Sequence, residues 1–204
     1  MNKIVKNALI LMAITLVSGL ALGFVYDITK GPIAEQEQKA KEEAYQTVFV
    51  DAASYEEIEL DADAVNVLLG EAGYGAQNID EALLAKDESG ETLGLVMNVT
   101  TGEGYGGDIQ FAMGIQNDGT VNGIKILAID ETAGLGMKAN EETFYGQFSN
   151  KKVEAFQYTK SGAASDNEID AISGATVTTN AMVNGVNAGI VYFNSLVEGG
   201  VISE

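Results

Sequence analysis

The sequence predicts an α+β fold in which a single N-terminal transmembrane helix precedes an antiparallel sheet with flanking helices. Three patterns support this: an uncharged apolar run near the N-terminus, alternating apolar residues in the second half of the chain, and helically spaced apolar residues near its end. At ~150 residues per domain, 204 residues accommodate one domain and a short appendage. We divide the chain into a cytoplasmic start with the anchor (1–30), a stalk with an acidic helical and loop region (31–91), and a ligand-binding domain (92–204).

The anchor is predicted at residues 8–26, ALILMAITLVSGLALGFVY, which contain no charged side chain. At ~1.5 Å per residue, a helix of this length roughly spans the ~30 Å hydrocarbon core of a bilayer. A cleaved signal peptide is the alternative, but its apolar region usually has ~7–15 residues, which favours an uncleaved anchor. Because Lys3 and Lys6 precede the segment, the positive-inside rule predicts a cytoplasmic N-terminus and an extracytoplasmic domain at the cell membrane.

The segment after the anchor is charged and helical in pattern. Gly31-Pro32 predicts a break between anchor and stalk. The alternating Glu and Lys residues that follow predict a solvated helix face. Residues 51–90 are acidic and mix short apolar runs with turn residues, so no chemistry is assigned to them.

The second half of the chain has the periodicity of an antiparallel sheet followed by a helix. The segment TLGLVMNVTT, from residue 92, has the composition of a strand. In DIQFAMGIQ the alternating apolar residues are Ile109, Phe111, Met113 and Ile115. The turn residues NDGT then lead into VNGIKILAID, which predicts a hairpin with one buried face. Apolar residues at helical spacing return from Thr178 to about Val197 and predict a final helix that stops at a pair of glycines.

The composition excludes several kinds of chemistry. The chain has no Cys, which excludes disulfides and thiolate-bound iron–sulfur clusters, and no His, the commonest general base and metal ligand. Redox chemistry in this chain therefore requires an organic cofactor. The net charge of −19 argues against nucleic-acid binding, which needs a basic surface. No EF-hand spacing occurs among the acidic residues, so no metal site is predicted.

Three glycine-rich segments interrupt the predicted elements: GEGYGGDI (102–109), DETAGLGMK (130–138) and EIDAISGATVTTNAMVNGV (168–186). Glycines beside hydroxyl, aromatic or charged side chains allow a backbone to approach a flat or phosphorylated ligand closely, although each segment alone also fits an ordinary turn. Thr176 and Thr178 lie at the predicted start of the last helix, where unpaired N–H groups favour an anion. The alternative is that Ser173 or Thr176 is simply the N-cap.

The third segment contains DAISGATVT, Asp170 to Thr178, which resembles the flavinylation motif D-x-x-S/T-G-A-S/T-x-S/T of the FMN-binding domain family. Every fixed position of the motif is met. The resemblance implies that Thr176 carries FMN through a phosphoester bond, installed by a dedicated flavin transferase from FAD with Mg²⁺. The segments GYGG and ETAGLG resemble two further landmarks of the family, although Ala133 stands where proline is usual and no histidine precedes the second landmark.

The resemblance covers about residues 92–197 and, together with the anchor, is similar to the G subunits of the Rnf complex, a membrane-bound, ion-pumping ferredoxin:NAD oxidoreductase. It implies an electron-relay subunit of a translocase, without catalysis of its own. Its FMN would carry electrons between a membrane iron–sulfur centre and another flavin subunit of the complex. Three alternatives stay open: a C subunit of the sodium-pumping NADH:quinone oxidoreductase, a stand-alone extracytoplasmic flavoprotein, and a membrane-anchored binding module without cofactor.

The resemblance also implies which residues contact FMN. In the motif and the two landmarks these are Asp170, Ser173, Gly174, Ala175, Thr176, Thr178, Gly104, Tyr105, Gly106, Gly107, Glu131, Thr132, Gly134, Leu135, Gly136 and Lys138. We expect Thr132, Gly134 and Leu135 to lie against the isoalloxazine, and Thr178 with backbone N–H groups to hold the phosphate. Glu131 and Lys138 are expected to tune the flavin, since nearby charges favour or disfavour the anionic reduced ring. The alternative is a surface ion pair worth ~0–1 kcal/mol.

Overall fold

A computed structural model describes residues 2–202, and its longest element is helix α1, Lys3–Val48. Within that described range, α1 is the one helix long and apolar enough, by length and composition, to cross a membrane. It continues through Pro32, so the predicted break at Gly31-Pro32 is wrong. Proline removes one intrahelical hydrogen bond, but the Ala, Glu, Gln and Lys residues that follow are strong helix formers and continue the helix.

The chain divides into two compact units, residues 1–40 and 41–204, and the second contains a five-stranded antiparallel sheet. Its strands, in spatial as well as chain order, are β1 (Ser54–Glu57), β2 (Gln77–Lys86), β3 (Thr92–Thr101), β4 (Ile109–Gln116) and β5 (Val121–Ile129). The predicted antiparallel sheet and its β4–β5 hairpin are confirmed. Strands β1 and β2 come from the range 31–91, where the sequence indicated only helices and loops.

One face of the sheet is covered by helix α4, Thr176–Glu198. A Cβ placed on Gly185 would lie 2.9 Å from Phe111 Cε1, and one on Gly189 would lie 2.6 Å from Met113 Sδ. The two glycines therefore let α4 approach β4 closely. The alternating residues predicted to share a buried face of β4 are at most 1% exposed: Ile109, Phe111, Met113 and Ile115.

The other face of the sheet packs against Ala44, Tyr45 and Val48 at the end of α1. There the Glu81 carboxylate accepts hydrogen bonds from Lys41 Nζ and Tyr45 Oη, both at 2.8 Å, and from Asn98 Nδ2 at 2.9 Å. Burial acts to raise the pKa of Glu81, but the hydrogen bonds from Lys41 and Tyr45 outweigh it, and the pKa lies below its ordinary value. Burial and the adjacent carboxylate raise the pKa of Tyr45.

The remaining elements connect the sheet to α4. Helix α2 (Ala62–Glu71) joins β1 to β2, and a 3-10 helix (Gly136–Asn140), helix α3 (Glu142–Tyr145) and a second 3-10 helix (Gly146–Phe148) follow β5. Two short strands, β6 (Gln157–Thr159) and β7 (Glu168–Asp170), then pair in parallel. Five residues, 171–175, separate the end of β7 from Thr176 at the start of α4, and we call this segment the SGAT loop.

Candidate functional site

The three glycine-rich segments meet at the N-terminal end of α4 and enclose a cavity of about 610 Å³. This volume lies within the ~300–1,000 Å³ of small-molecule sites. The residues that line it are Tyr105, Glu131, Thr132, Leu135, Gly136, Gly174, Ala175, Thr176, Val177 and Thr178. All of them except Val177 are among the candidates from the sequence. The fold thus brings together three loops that are far apart in the chain.

Thr176 is the first residue of α4, and the N-cap is Ala175, which forms no side-chain capping bond. The alternative that Ser173 or Thr176 is the N-cap is therefore wrong. In the part of the chain that the structure describes, no acceptor contacts the N–H groups of Thr176, Val177 and Thr178. Unpaired N–H groups at a helix start, together with the helix dipole, favour a bound anion.

The SGAT loop is fixed by Thr179, a fully buried residue that the sequence did not single out. Its Oγ1 accepts a hydrogen bond from the Ile172 N–H at 3.0 Å and donates one to the Ala175 carbonyl at 2.9 Å. Between these two residues Gly174 has φ +78°, a left-handed conformation that favours glycine. Thr179 thereby ties the loop to the first turn of α4 and orients Thr176, which is half-buried.

Glu131 connects the first two loops. It is 8% exposed, and its Oε1 accepts a hydrogen bond from the Tyr105 N–H at 2.7 Å. A Cβ on Gly136 would lie 2.5 Å from Glu131 Oε2 and 2.7 Å from Thr178 Oγ1. The absence of a side chain at position 136 therefore lets the ETAGLG segment lie directly against both groups. The result is a carboxylate in the cavity wall, next to the first turn of α4.

The first loop is also held by Glu103, another residue that the sequence did not single out. Its carboxylate accepts hydrogen bonds from Gln77 Nε2 at 2.8 Å and from Asn184 Nδ2 at 2.7 Å. These bonds join the loop to β2 and to α4. An acidic residue beside glycines was the signal in the sequence, but its partners became visible only when β2 was in place.

The remaining glycine candidates shape the loops without lining the cavity. A Cβ on Gly104 would lie 3.1 Å from Glu131 Oε1, and one on Gly106 would collide with the Asp130 carbonyl. Gly107 and Gly134 have φ values of +148° and +77°, which favour glycine.

Three polar candidates lie outside the cavity. Lys138 is exposed in the 3-10 helix, and among the described residues no ion pair joins it to Glu131. Asp170 is exposed, and its Oδ1 accepts a hydrogen bond from the Ala163 N–H at 2.7 Å. Ser173 lines a separate depression of about 280 Å³ that also borders Thr176. The geometry thus gives Asp170 a contact with the preceding loop and leaves Lys138 at the surface.

The rim of the cavity is apolar. Tyr105 and Leu135 come from the first two glycine-rich segments and Val177 from the first turn of α4, and they are 75%, 43% and 50% exposed. Large exposed apolar side chains around a cavity with few polar groups are typical of a site for a flat organic ligand. Thr176, Val177 and Thr178, whose backbone N–H groups are unpaired, line the same cavity. The site therefore combines an apolar part with an anion-binding part.

Comparison with known proteins identifies the family of the chain. Residues 104–191 match the FMN-binding domain family, and residues 1–48 match the RnfG N-terminal region. The chain is 33% identical to the G subunit of the Na⁺-translocating ferredoxin:NAD⁺ oxidoreductase complex of Acetobacterium woodii, over 94% of this chain and 92% of the relative. It is 30% identical to the G subunit of the proton-translocating ferredoxin:NAD⁺ oxidoreductase complex of Clostridium ljungdahlii, over 85% and 83%.

The fold is similar to that of the C subunit of the Na⁺-translocating NADH-quinone reductase from Parabacteroides distasonis. The TM-score is 0.52 at 16% identity, over 78% of this chain and 95% of that one. This likeness confirms the α+β architecture, whereas the family assignment depends on the sequence matches above. By those matches, the chain belongs to the family of G subunits of ion-translocating ferredoxin:NAD⁺ oxidoreductase complexes.

Proposed function

We propose that this protein is an electron-relay subunit of an ion-translocating ferredoxin:NAD⁺ oxidoreductase complex and that it carries FMN covalently bound to Thr176. One observation carries the proposal. Thr176, a hydroxyl-bearing residue that lines a cavity of about 610 Å³, is also the first residue of a helix whose leading N–H groups have no acceptor among the described residues. A phosphate joined to that hydroxyl would satisfy those N–H groups.

The residues of the site fit FMN in each of its parts. The exposed apolar side chains of Tyr105, Leu135 and Val177 suit a flat ring system. The first turn of α4 suits the phosphate. When bound, FMN supplies one-electron chemistry, which a chain without Cys and His otherwise lacks.

The chain's own residues have holding and orienting roles. Thr176 Oγ1 forms the ester bond to phosphorus, and Gly174 and Ala175 beside it leave space for the modifying enzyme. Thr179 holds the loop through its two hydrogen bonds, and Glu131 joins the loops on either side of the ring site. No general base is needed for electron transfer, which agrees with the absence of His.

We further propose that a flavin transferase attaches the cofactor from FAD in the presence of Mg²⁺. The Thr176 oxygen bonds to the phosphorus of the FMN half, the bond from that phosphorus to the AMP half breaks, and the hydroxyl proton leaves. AMP is the other product, so atoms balance without an oxidant. A covalent tether also keeps the cofactor on a domain that, with Lys3 and Lys6 on the cytoplasmic side, lies outside the cell membrane.

The partners follow from the same family. As a single-pass membrane protein, the chain would assemble with membrane, iron–sulfur and flavin subunits of one complex. The two relatives above are named as Na⁺-translocating and proton-translocating. Both kinds of ion pump thus occur among proteins of this family, so the relay role is separate from the choice of ion.

The test is in-gel fluorescence and intact mass of the protein produced in cells with the transferase. We expect a fluorescent band that survives SDS for the wild type and for Thr176→Ser, and none for Thr176→Ala. Ser173→Ala is the matched control and should keep the band, since Ser173 is a hydroxyl residue three positions before Thr176. An unmodified mass for the wild type, or a band that persists in Thr176→Ala, would contradict the proposal.

A further inference from the structure

Thr176 borders two depressions rather than one. Besides the large cavity, a smaller depression of about 280 Å³ is lined by Lys160, Ala171, Ile172, Ser173, Gly174 and Thr176. Only Gly174 and Thr176 line both. A group attached to the Thr176 hydroxyl is therefore adjacent to both depressions, and the residues of the smaller one can contact it.

The position of Lys160 follows from the parallel pairing of β6 and β7. Thr159 pairs with Asp170, and the next N–H along, that of Ala171, donates to the Thr159 carbonyl at 2.8 Å. Lys160 is the next residue after this bond and lies beside the start of the SGAT loop. Its place next to Thr176 is thus set by backbone hydrogen bonds, while its side chain has the flexibility of a lysine stem.

The charged residues around Thr176 indicate Lys160 as the partner of a phosphate. The chain has 30 acidic and 11 basic residues, and all the basic ones are Lys. Among the described residues, Lys160 is the one cationic residue that lines either depression, and no ion pair engages it. The large cavity instead contains the Glu131 carboxylate, which repels a phosphate. A cation near Thr176 would add to the N–H groups of α4 in offsetting the phosphate charge, and Lys160 lines the same smaller depression as Thr176.

We infer that Lys160 is the cation that binds the phosphate on Thr176, from the smaller depression that both residues line. The inference rests on the proposed function, because it concerns the phosphate of the covalent FMN. It adds a cation to the phosphate site, for which the sequence indicated only Thr178 and backbone N–H groups. Lys160 attracts the phosphate during attachment and stabilises its negative charge afterwards.

The first test is the rate of flavin attachment to the purified full-length protein in detergent, with transferase, FAD and Mg²⁺. At low salt we expect Lys160→Gln to slow the initial rate about fivefold, in line with a partly exposed charge interaction. Lys160→Glu should slow it further, and Lys160→Arg should stay close to wild type. At ~1 M salt the deficit of Lys160→Gln should shrink, because the screening length falls to ~3 Å. Lys138→Gln is the matched control and should react like the wild type.

The second test separates phosphate binding from other roles of Lys160. In the flavin-loaded protein, we expect the ³¹P resonance of the phosphoester to move in Lys160→Gln and to stay in place in Lys138→Gln. A slower rate with an unmoved ³¹P resonance would mean that Lys160 contacts the transferase only, and would overturn the inference. Wild-type rate and resonance in Lys160→Gln would also overturn it, whereas failure of the wild type to load would overturn the proposed function itself.

Discussion

Gly136→Ala tests most sharply how the two glycine loops are joined. The added Cβ would lie 2.5 Å from Glu131 Oε2, about 0.9 Å inside ordinary van der Waals contact, and 2.7 Å from Thr178 Oγ1. Because Thr178 is in a helix, the Glu131 carboxylate has to move, which disrupts its hydrogen bond from the Tyr105 N–H. Losing a hydrogen bond to a charged group costs ~1.5–3 kcal/mol, and overpacking costs ~1–3 kcal/mol. With partial relaxation, we expect the free energy of unfolding to fall by about 2–4 kcal/mol.

The assay is thermal unfolding of the unmodified protein in detergent, followed by circular dichroism. For a unit of this size, the expected loss lowers the midpoint by about 5–15 °C. Gly70→Ala is the matched control, because Gly70 lies in α2 with no atom within 4 Å of the added Cβ, and alanine there should be neutral or stabilising. A Gly136→Ala midpoint within 2 °C (about the error of the assay) of wild type would refute the close packing around Glu131.

Three further predictions concern Thr179, Glu81 and the subunits that copurify with the protein. Thr179→Val leaves the Ile172 N–H without its partner and should lower the free energy of unfolding by ~1–3 kcal/mol and slow flavin attachment. Thr179→Ser retains the hydroxyl and should keep both the stability and the attachment rate of the wild type. Equal unfolding midpoints for Thr179→Val and the wild type would contradict this prediction. The pKa of Glu81 is lowered, so its stabilisation is present above its unfolded pKa and lost as pH falls through the folded pKa. The wild type should therefore unfold at a higher temperature than Glu81→Gln at pH 7, and the two midpoints should converge as the pH falls through the lowered folded pKa of Glu81; a gap independent of pH would disprove the role of this charge. Affinity purification in mild detergent should recover multi-helix membrane subunits with the tagged protein, and recovery of the protein alone would favour a stand-alone flavoprotein.

The sequence predicted the elements in which local pattern and tertiary environment agree. The period-two alternation through Phe111 and Met113 predicted strand β4 and the face that α4 covers, whereas the burial of Ala112 on the opposite face, against the end of α1, was not indicated. The helical spacing after Thr178 likewise predicted α4, although its first residue is Thr176.

Strand β2 was missed for a physical reason. Its sequence, QNIDEALLAK, contains Glu, Ala, Leu and Lys, which favour helices, and pairing with β1 and β3 overrides that preference. Gly31-Pro32 does not interrupt α1, because the helix formers that surround Pro32 offset the one hydrogen bond that proline removes.

The site was predictable in its residue types, and its arrangement was not. The three loops could be named from glycines and a motif, but their convergence depends on the order of the strands between them. Thr179 and Lys160 show the limit most clearly. Thr179 contacts Ile172 across a turn, and Lys160 comes near Thr176 only through the pairing of β6 with β7. Neither relation leaves a signal in the spacing of the residues.

The proposed attachment point of the cofactor is a single oxygen atom, Thr176 Oγ1. The most direct measurement is mass spectrometry of the tryptic peptide that follows Lys160, taken from protein made with the transferase. Fragmentation of this peptide separates Thr176 from its hydroxyl neighbours Ser173, Thr178 and Thr179. We predict the added mass of one FMN, less water, on Thr176 alone, and its loss in Thr176→Ala. An adduct on a neighbouring hydroxyl, or an unmodified peptide, would rule out Thr176 as the attachment site.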